Sequence, residues 1–178
     1  MQTTTAQERS DVITFKGKPF TLLGMPLSIG QPAPEIALTA GDLSTATLDT
    51  VTDGGKRTVL LIVVPSLDTS VCHTETKTFN GRIGELADVA TYVVSMDLPM
   101  AQARWCGAEG VTKIVALSDY RTHDFGYAYG LRIKELGLLA RANIVIGKDK
   151  TIKYLEIVPE VTHEPSYDAT IAAAKAAG

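Results

Sequence analysis

The feature that most constrains the fold is an unbroken apolar run at residues 58–64, TVLLIVV, which is followed directly by Pro65. A run of β-prone residues without polar alternation predicts a strand that is buried on both faces, as in a mostly parallel sheet. Proline has no backbone N–H to donate to a neighbouring strand, so the strand should end before Pro65. The chain is therefore expected to place a sheet at its centre, with other layers covering both sides.

A helix is predicted to begin directly after this strand. Asp68, Thr69 and Ser70 are all residues that favour the position preceding a helix, so one of them should cap it. Cys72 then lies in the first turn, where unpaired backbone N–H groups and the positive end of the helix dipole favour an anion. The sequence thus predicts a position that stabilises a cysteine thiolate.

An apolar stripe continues along this helix. Phe79, Ile83, Leu86 and Val89 follow at steps of three or four residues and predict a helix that extends to about residue 89. Cys72 lies seven residues before Phe79, so its sulfur should point towards the core. Burial opposes a thiolate whereas the helix terminus favours it, and a reactive cysteine here would need a cation close by.

Length and composition exclude several classes of protein. A chain of 178 residues with 45% hydrophobic and 21% charged residues is typical of one globular domain, which we expect to span 1–178. The net charge of −3 and the lack of a basic run argue against a nucleic-acid partner. Residues 1–11 are polar and resemble no signal peptide, and no stretch is apolar enough to span a membrane. We expect a cytoplasmic protein without a membrane partner.

The chain contains two cysteines, Cys72 and Cys106. In a reducing cytosol such a pair is more often free, catalytic or metal-bound than a permanent bridge. The three histidines, His73, His123 and His163, are scattered, and no Cys-x-x-Cys motif is present. The spacing therefore argues against a zinc site.

The second cysteine is predicted to lie at the opposite end of a shorter helix. Asp97 can cap that helix, Pro99 suits its first turn, and Gly107 is a natural residue to follow its end. Cys106 would then lie where the helix dipole disfavours a thiolate. The two cysteines are expected to differ, with Cys72 activated and Cys106 ordinary.

The rest of the chain alternates between strand and helix patterns, which indicates a three-layer α/β fold. The expected elements are an N-terminal hairpin at 12–15 and 19–23, a weak strand at 46–48, strands at 90–96 and 113–117, a turn or short helix at 124–131, an antiparallel pair at 140–146 and 152–158, and a final helix from about residue 166.

Several residues have a functional and an ordinary interpretation that the pattern does not separate. Cys72 is either reactive or a buried core residue, and Thr69 is either only a helix cap or also a contact to the sulfur. Arg141, the single charge in an apolar run, either faces solvent, which the pattern slightly favours, or lies inside beside an anion. It is nevertheless the best-placed cation for a thiolate. The residues expected to be exposed or to serve packing are His73, His123, Arg104, Trp105, Glu109 and Tyr127.

Three segments together resemble one known family. Pro65, Thr69 and Cys72 form the Pro-x-x-x-Thr-x-x-Cys signature of the peroxiredoxins, and residues 64–72 are similar to the thiol peroxidase subfamily in particular. Residues 97–110 resemble the resolving-cysteine segment of that subfamily, and residues 138–142, LLARA, resemble its active-site arginine strand. The similarity covers nearly the whole chain.

The resemblance implies an atypical two-cysteine enzyme with a thioredoxin-like fold and an N-terminal hairpin. It implies a homodimer that reduces hydroperoxides with electrons from thioredoxin and requires no metal or organic cofactor. Cys72 would be the peroxidatic residue and Cys106 the resolving one, joined in an intramolecular disulfide, with Pro65, Thr69 and Arg141 around the sulfur. Two other classes stay open: a redox relay without turnover, and a structural protein with a stabilising bridge.

Overall fold

The structure is a computed structural model that describes residues 6–86 and 88–178. Part of the N-terminal stretch considered above, residues 1–5, and residue 87 in the predicted helix lie outside the described residues. The strands are β1 Glu8–Phe15, β2 Lys18–Leu23, β3 Ala37–Thr39, β4 Thr45–Thr47, β5 Thr58–Val63, β6 Val89–Ser95, β7 Val115–Ser118, β8 Arg132–Ile133, β9 Ala142–Ile146 and β10 Ile152–Ile157. The helices are α1 Leu48–Val51, α2 Ser70–Arg82, α3 Pro99–Glu109, α4 Asp124–Ala128 and α5 Tyr167–Ala176, with a 3₁₀ turn at Ile83–Leu86.

A seven-stranded sheet forms the central layer, in the order β10-β9-β5-β6-β7-β3-β4. Strands β5, β6 and β7 pair in parallel because helical crossovers connect them, whereas β9 pairs antiparallel with both β5 and β10. The expected antiparallel pair near the C-terminus is confirmed. The sheet as a whole is mixed, so the expectation of a mostly parallel sheet holds only for its centre.

Strand β5 is buried on both faces, which confirms the interpretation of the apolar run. Its side chains alternate between two hydrophobic clusters. Val59, Leu61 and Val63 belong to one cluster, and Leu60 and Ile62 to the other, and all are fully buried. Water reaches neither face, and this explains why the sequence shows no polar alternation here.

Different layers cover the two faces of this sheet. On one face lie the β1–β2 hairpin, α1 and α4, which contribute Ile13, Leu48 and Phe125 to the core. On the other face Cys72 packs in a cluster with Trp105 of α3 and with residues of α5. The arrangement is the three-layer, thioredoxin-like α/β fold expected from the sequence.

Helix α2 is shorter than predicted. It ends at Arg82 and continues as the 3₁₀ turn, and Val89 already begins β6. Gly81 and Gly84 weaken this end, because each glycine costs about 1 kcal/mol relative to alanine inside a helix. The predicted apolar stripe is present, since Phe79 and Leu86 are buried in the same cluster. The second half of the stripe lies in the tighter 3₁₀ turn rather than in the α-helix.

Helix α3 differs from its prediction at both ends. Leu98 precedes it without a side-chain cap, and Asp97 instead accepts hydrogen bonds from the Leu67 backbone N–H at 2.8 Å and the Ser95 hydroxyl at 2.7 Å. The carboxylate therefore fixes the turn after β5 rather than the helix. The helix passes through residue 107 and ends at Gly110, which adopts the left-handed conformation with φ 67°. The expected Pro99 at its start is confirmed.

Helices α1 and α4 are short, and α5 is nearly as long as α3. Helix α1, which follows the weak strand, was missed by sequence reasoning although Thr47 and Thr50 form a capping box around it. The ambiguous segment at 124–131 contains α4, and the final helix begins at Tyr167. Within residues 6–86 and 88–178, no helix is long and apolar enough to cross a membrane.

Candidate active site

Cys72 lies in the first turn of α2, as the sequence predicts. Thr69 is the residue that caps this helix, with extended backbone angles of φ −93° and ψ 147°. Its hydroxyl oxygen accepts the backbone N–H of Cys72 at 3.4 Å. The side chain of Cys72 is fully buried and belongs to the core cluster beneath the helix.

The hydroxyl of Thr69 also contacts the sulfur. Thr69 Oγ1 lies 2.7 Å from Cys72 Sγ, in a geometry that lets the hydroxyl donate to the sulfur. The two interpretations of Thr69 are therefore both correct, since one oxygen accepts from the helix backbone and donates to the thiol. A donor at this distance favours a negatively charged sulfur.

Arg141 brings a cation to the same sulfur. It immediately precedes β9, its side chain is almost fully buried, and its Nη2 lies 3.4 Å from Cys72 Sγ. The backbone carbonyl of Val161 accepts from Nε at 3.1 Å and from Nη2 at 3.0 Å. The slight preference for a solvent-facing arginine is therefore wrong, because β9 lies between two other strands and the segment carrying Val161 covers the side chain.

A buried carboxylate completes the surroundings of the guanidinium. Glu75 Oε2 forms an ion pair with Arg141 Nη1, and its other oxygen, Oε1, is buried without a hydrogen-bond partner. Burial raises the pKa of Glu75 from 4.5 to about 7, although the charge of Arg141 opposes that rise. Sequence reasoning missed this residue. The signal was available, because a glutamate three residues after Cys72 shares its core-facing side of the helix.

Arg141 keeps its charge in this buried setting. Burial alone would lower the pKa of its guanidinium, but the interactions with Glu75 and Cys72 outweigh burial and raise it. The site therefore holds a permanent positive charge between a thiol and a carboxyl group.

A cleft of about 340 Å³ opens beside these groups. Thr69 and Arg141, the two residues in contact with the sulfur, lie in its lining together with Pro65, Val71 and Leu138. The walls are mostly apolar, and Pro65 presents no backbone N–H to hold water there. Such a cleft suits a small molecule with one polar end.

Cys106 lies apart from these groups, in the last turn of α3. It is half-buried, burial raises the pKa of its thiol, and both cysteines are free. The prediction of two unequal cysteines agrees with this geometry. The structure brings together Pro65, Thr69, Cys72 and Arg141, and it leaves Cys106 on a separate helix.

Helices α2 and α3 are joined by a polar and aromatic contact, which we call the α2–α3 clasp (His73, Lys77, Trp105, Glu109). Glu109 Oε2 lies 3.1 Å from Lys77 Nζ and 3.3 Å from His73 Nε2, and the ring of His73 meets Trp105 edge-on at 5.4 Å between centroids. Glu109 was expected on a solvated face. It is instead only partly exposed, because the two helices approach each other at this point.

This arrangement supports chemistry by a sulfur nucleophile. A thiolate is the reactive form of cysteine, and a hydroxyl and a guanidinium that both contact it can also stabilise negative charge on an incoming group. In the two described ranges, 6–86 and 88–178, no group of three or more His, Cys, Asp or Glu side chains is placed to hold a metal ion.

Comparisons with known proteins agree with the fold. The family model described as Redoxin matches residues 28–171. The chain is 47% identical to a thiol peroxidase of Halalkalibacterium halodurans, over 93% of this chain and 98% of the relative. It is 44% identical to a thiol peroxidase of Bacillus subtilis, over 92% and 96%. The crystal structure of a peroxiredoxin-like protein from Aquifex aeolicus superposes with a TM-score of 0.87 at 37% identity, covering 97% of this chain and 99% of that one.

Proposed function

The chain belongs to the thiol peroxidases of the redoxin family, enzymes that oxidise thiols with peroxides, and we propose that Cys72 is its peroxidatic nucleophile. The observation that carries this proposal is the position of Cys72 Sγ between Thr69 Oγ1 at 2.7 Å and Arg141 Nη2 at 3.4 Å. Both groups favour the thiolate over the thiol, at the head of a helix whose dipole acts in the same direction.

In the first step the thiolate attacks the terminal oxygen of a hydroperoxide. An S–O bond forms, the O–O bond breaks, and the sulfur is oxidised to a sulfenic acid. The other oxygen leaves with the electron pair and takes up a proton, giving water or an alcohol. Negative charge grows on that oxygen, where the guanidinium of Arg141 and the hydroxyl of Thr69 stabilise it.

The cleft accounts for binding of the substrate. Its apolar walls accept hydrogen peroxide or the carbon chain of an organic hydroperoxide, and Thr69 and Arg141 attract the peroxide oxygens. Pro65 shields the sulfur and its sulfenic acid from water.

In the second step Cys106 resolves the sulfenic acid. Its thiol condenses with Cys72, which forms a disulfide and releases water. A disulfide requires Cα atoms within about 7 Å, and the two residues lie on different helices. We infer that the first turn of α2 and the end of α3 unwind when the disulfide forms. A dithiol protein of the thioredoxin type then reduces the disulfide by exchange. The proposal includes a single domain over residues 1–178 and a homodimer, as the resemblance implies.

The test is peroxide consumption with thioredoxin and its reductase as the electron source. We expect many peroxide molecules to be consumed per protein chain, and consumption of one equivalent would instead indicate a redox relay. In a Cys106→Ser variant we expect one turnover, after which a carbon nucleophile that labels sulfenic acids modifies Cys72. Absence of that label on Cys72 would contradict its proposed role.

A further inference from the structure

Two buried acids contact one buried cation. Arg141 Nη2 faces the sulfur of Cys72 at 3.4 Å, while Nη1 of the same guanidinium is paired with Glu75 Oε2. Both acidic side chains are fully buried, so neither charge is solvated by water. One positive charge balances one anion, and a second anion in this space would be uncompensated.

We propose that Cys72 and Glu75 share one proton across Arg141, so that ionisation of either group disfavours ionisation of the other, and that Glu75 thereby sets the pH range in which the peroxidase thiol is reactive. Glu75 acts through Arg141, with which it is paired, and is thus a positioning residue. The inference rests on the proposed role of Cys72 and adds to it a partner in protonation.

The second oxygen of Glu75 supports this proposal. Oε1 is buried and accepts no hydrogen bond, whereas Oε2 is paired with the arginine. A buried carboxylate with an unsatisfied oxygen is poorly stabilised, and a proton on that oxygen removes the charge. The raised pKa of Glu75, about 7, has burial as its largest cause and agrees with this geometry.

The other charged groups around Glu75 act in the same direction. Glu156 on β10 and Glu164, which precedes α5, both raise its pKa. The cation that lowers the pKa of Glu75 is Arg141, which Cys72 also contacts. Competition for this guanidinium therefore decides which acid ionises.

The consequence for the enzyme is that the charge of Glu75 decides how strongly Arg141 stabilises a thiolate at Cys72. When Glu75 is protonated, the full charge of Arg141 acts on the sulfur. When Glu75 ionises, its negative charge opposes the thiolate across the same guanidinium. Coupled groups of this kind titrate over a broad range, as a pair rather than as two independent residues.

The first test measures the reactivity of Cys72 in a Cys106→Ser background, as the rate of alkylation by iodoacetamide between pH 4 and pH 9. Glu75→Gln keeps the shape of the side chain and an oxygen that can accept from Arg141. We expect the midpoint of the pH profile to fall by about one unit, because a competing charge is removed. The matched control, Glu8→Gln, removes an exposed carboxylate that pairs with Lys134 and should leave the midpoint unchanged.

A midpoint that stays constant or rises in Glu75→Gln would overturn the proposal and leave Glu75 a purely structural support for Arg141. The measurement uses no peroxide, so its outcome is independent of whether Cys72 is the peroxidatic residue. Failure of the peroxidase assay would reject the proposed function, and failure of the alkylation assay would reject only the shared proton.

The second test retains native Glu75 and so does not depend on the folding of Glu75→Gln. Linkage between two sites is reciprocal, so removal of the thiol must shift the titration of the carboxyl group by a similar amount. We expect ¹³C NMR of labelled glutamate to show the midpoint of Glu75 falling by about one unit when Cys72→Ser is added to Cys106→Ser. An unchanged midpoint would show that the two groups ionise independently.

Discussion

Cys72 and Cys106 are the same kind of residue in opposite settings. Cys72 lies at the head of a helix, fully buried, with a hydroxyl and a guanidinium against its sulfur. Cys106 lies in the last turn of another helix, half-buried, where burial raises the pKa of its thiol. The comparison shows that burial alone disfavours a thiolate, and that donors placed around a sulfur oppose this effect.

The largest expected effect comes from removing the activated cysteine. In Cys72→Ser we expect peroxide turnover in the thioredoxin-coupled assay to fall to the background of an ordinary free thiol, because burial disfavours the thiolate of the remaining cysteine, Cys106. Turnover near the native rate in this variant would mean that the contrast between the two sulfurs has no functional meaning.

Removal of the cation should have the next largest effect. In Arg141→Met we expect the second-order rate constant with peroxide, measured by stopped flow, to fall about 10²- to 10³-fold, the usual loss for one preorganised charge-stabilising group. Arg141→Lys retains the charge without the planar fork and should lie between the two. Equal rates for all three proteins would remove Arg141 from the mechanism.

The hydroxyl of Thr69 should matter less than the cation. We expect Thr69→Val to slow the reaction with peroxide about 10- to 100-fold, since a hydrogen bond to a charged group contributes about 1.5–3 kcal/mol. Thr69→Ser retains the hydroxyl and is the matched control, for which the same stopped-flow measurement should give a nearly native rate. A slow Ser variant would indicate that the methyl group, rather than the hydroxyl, is required.

The buried carboxyl group of Glu75 should affect the free energy of unfolding as well as the reactivity of Cys72. The pKa of Glu75 is raised from 4.5 in the unfolded chain to about 7 in the fold, so the native state binds more protons in that window. Its contribution to the free energy of unfolding therefore falls as pH rises from 4.5 to 7, by at most about 1.4 kcal/mol per pH unit. Urea unfolding of Glu75→Gln should show a flatter pH dependence than the native protein.

The contribution of Asp119 to the free energy of unfolding also falls as pH rises, because burial raises its pKa from 3.8 to about 6. It is present in both proteins, so the difference between native and Glu75→Gln isolates the glutamate. Two curves of identical slope between pH 4.5 and pH 7 would show that Glu75 titrates in the fold as it does in the unfolded chain.

The smallest expected effect concerns the α2–α3 clasp. Glu109→Gln removes the charge that Lys77 and His73 contact, and it should ease the separation of the two helices. A partly exposed ion pair contributes about 0.2–1 kcal/mol, so the disulfide between Cys72 and Cys106 should form about 1.5- to 5-fold faster in a quenched-flow time course after peroxide addition. Asp149→Asn breaks a distant surface pair with Lys153 and should have no effect.

Local signals in the sequence were sufficient for half of the site. The apolar run, Pro65 and the capping triplet gave the position of β5 and of Cys72 in the first turn of α2, since each of these features acts over a few residues. Pattern alone did not place Arg141 inside, because its burial depends on β9 lying between β5 and β10, a tertiary pairing. Only the resemblance to the peroxiredoxins located it beside the sulfur.

The incorrect predictions have the same origin, namely tertiary contacts that a local sequence pattern does not show. Asp97 is predicted to cap α3 because aspartate favours the position before a helix. In the structure its carboxylate instead accepts hydrogen bonds from the turn after β5, which lies close by. The sequence predicts the end of α3 at Gly107, but this residue lies within the helix and Gly110 takes the left-handed conformation at its end. Glu75 was overlooked because a charged residue on a core-facing position becomes meaningful only with its partner, 66 residues away.

The separation of Cys72 and Arg141 along the chain has a consequence for the newly synthesised protein. Arg141 lies 69 residues after Cys72, and the carbonyl that orients it follows another 20 residues later. A nascent chain that contains Cys72 but not yet β9 lacks this cation at the sulfur. The sulfur therefore gains its contact with the guanidinium only when the C-terminal part of the chain, including β9 and Val161, is in place.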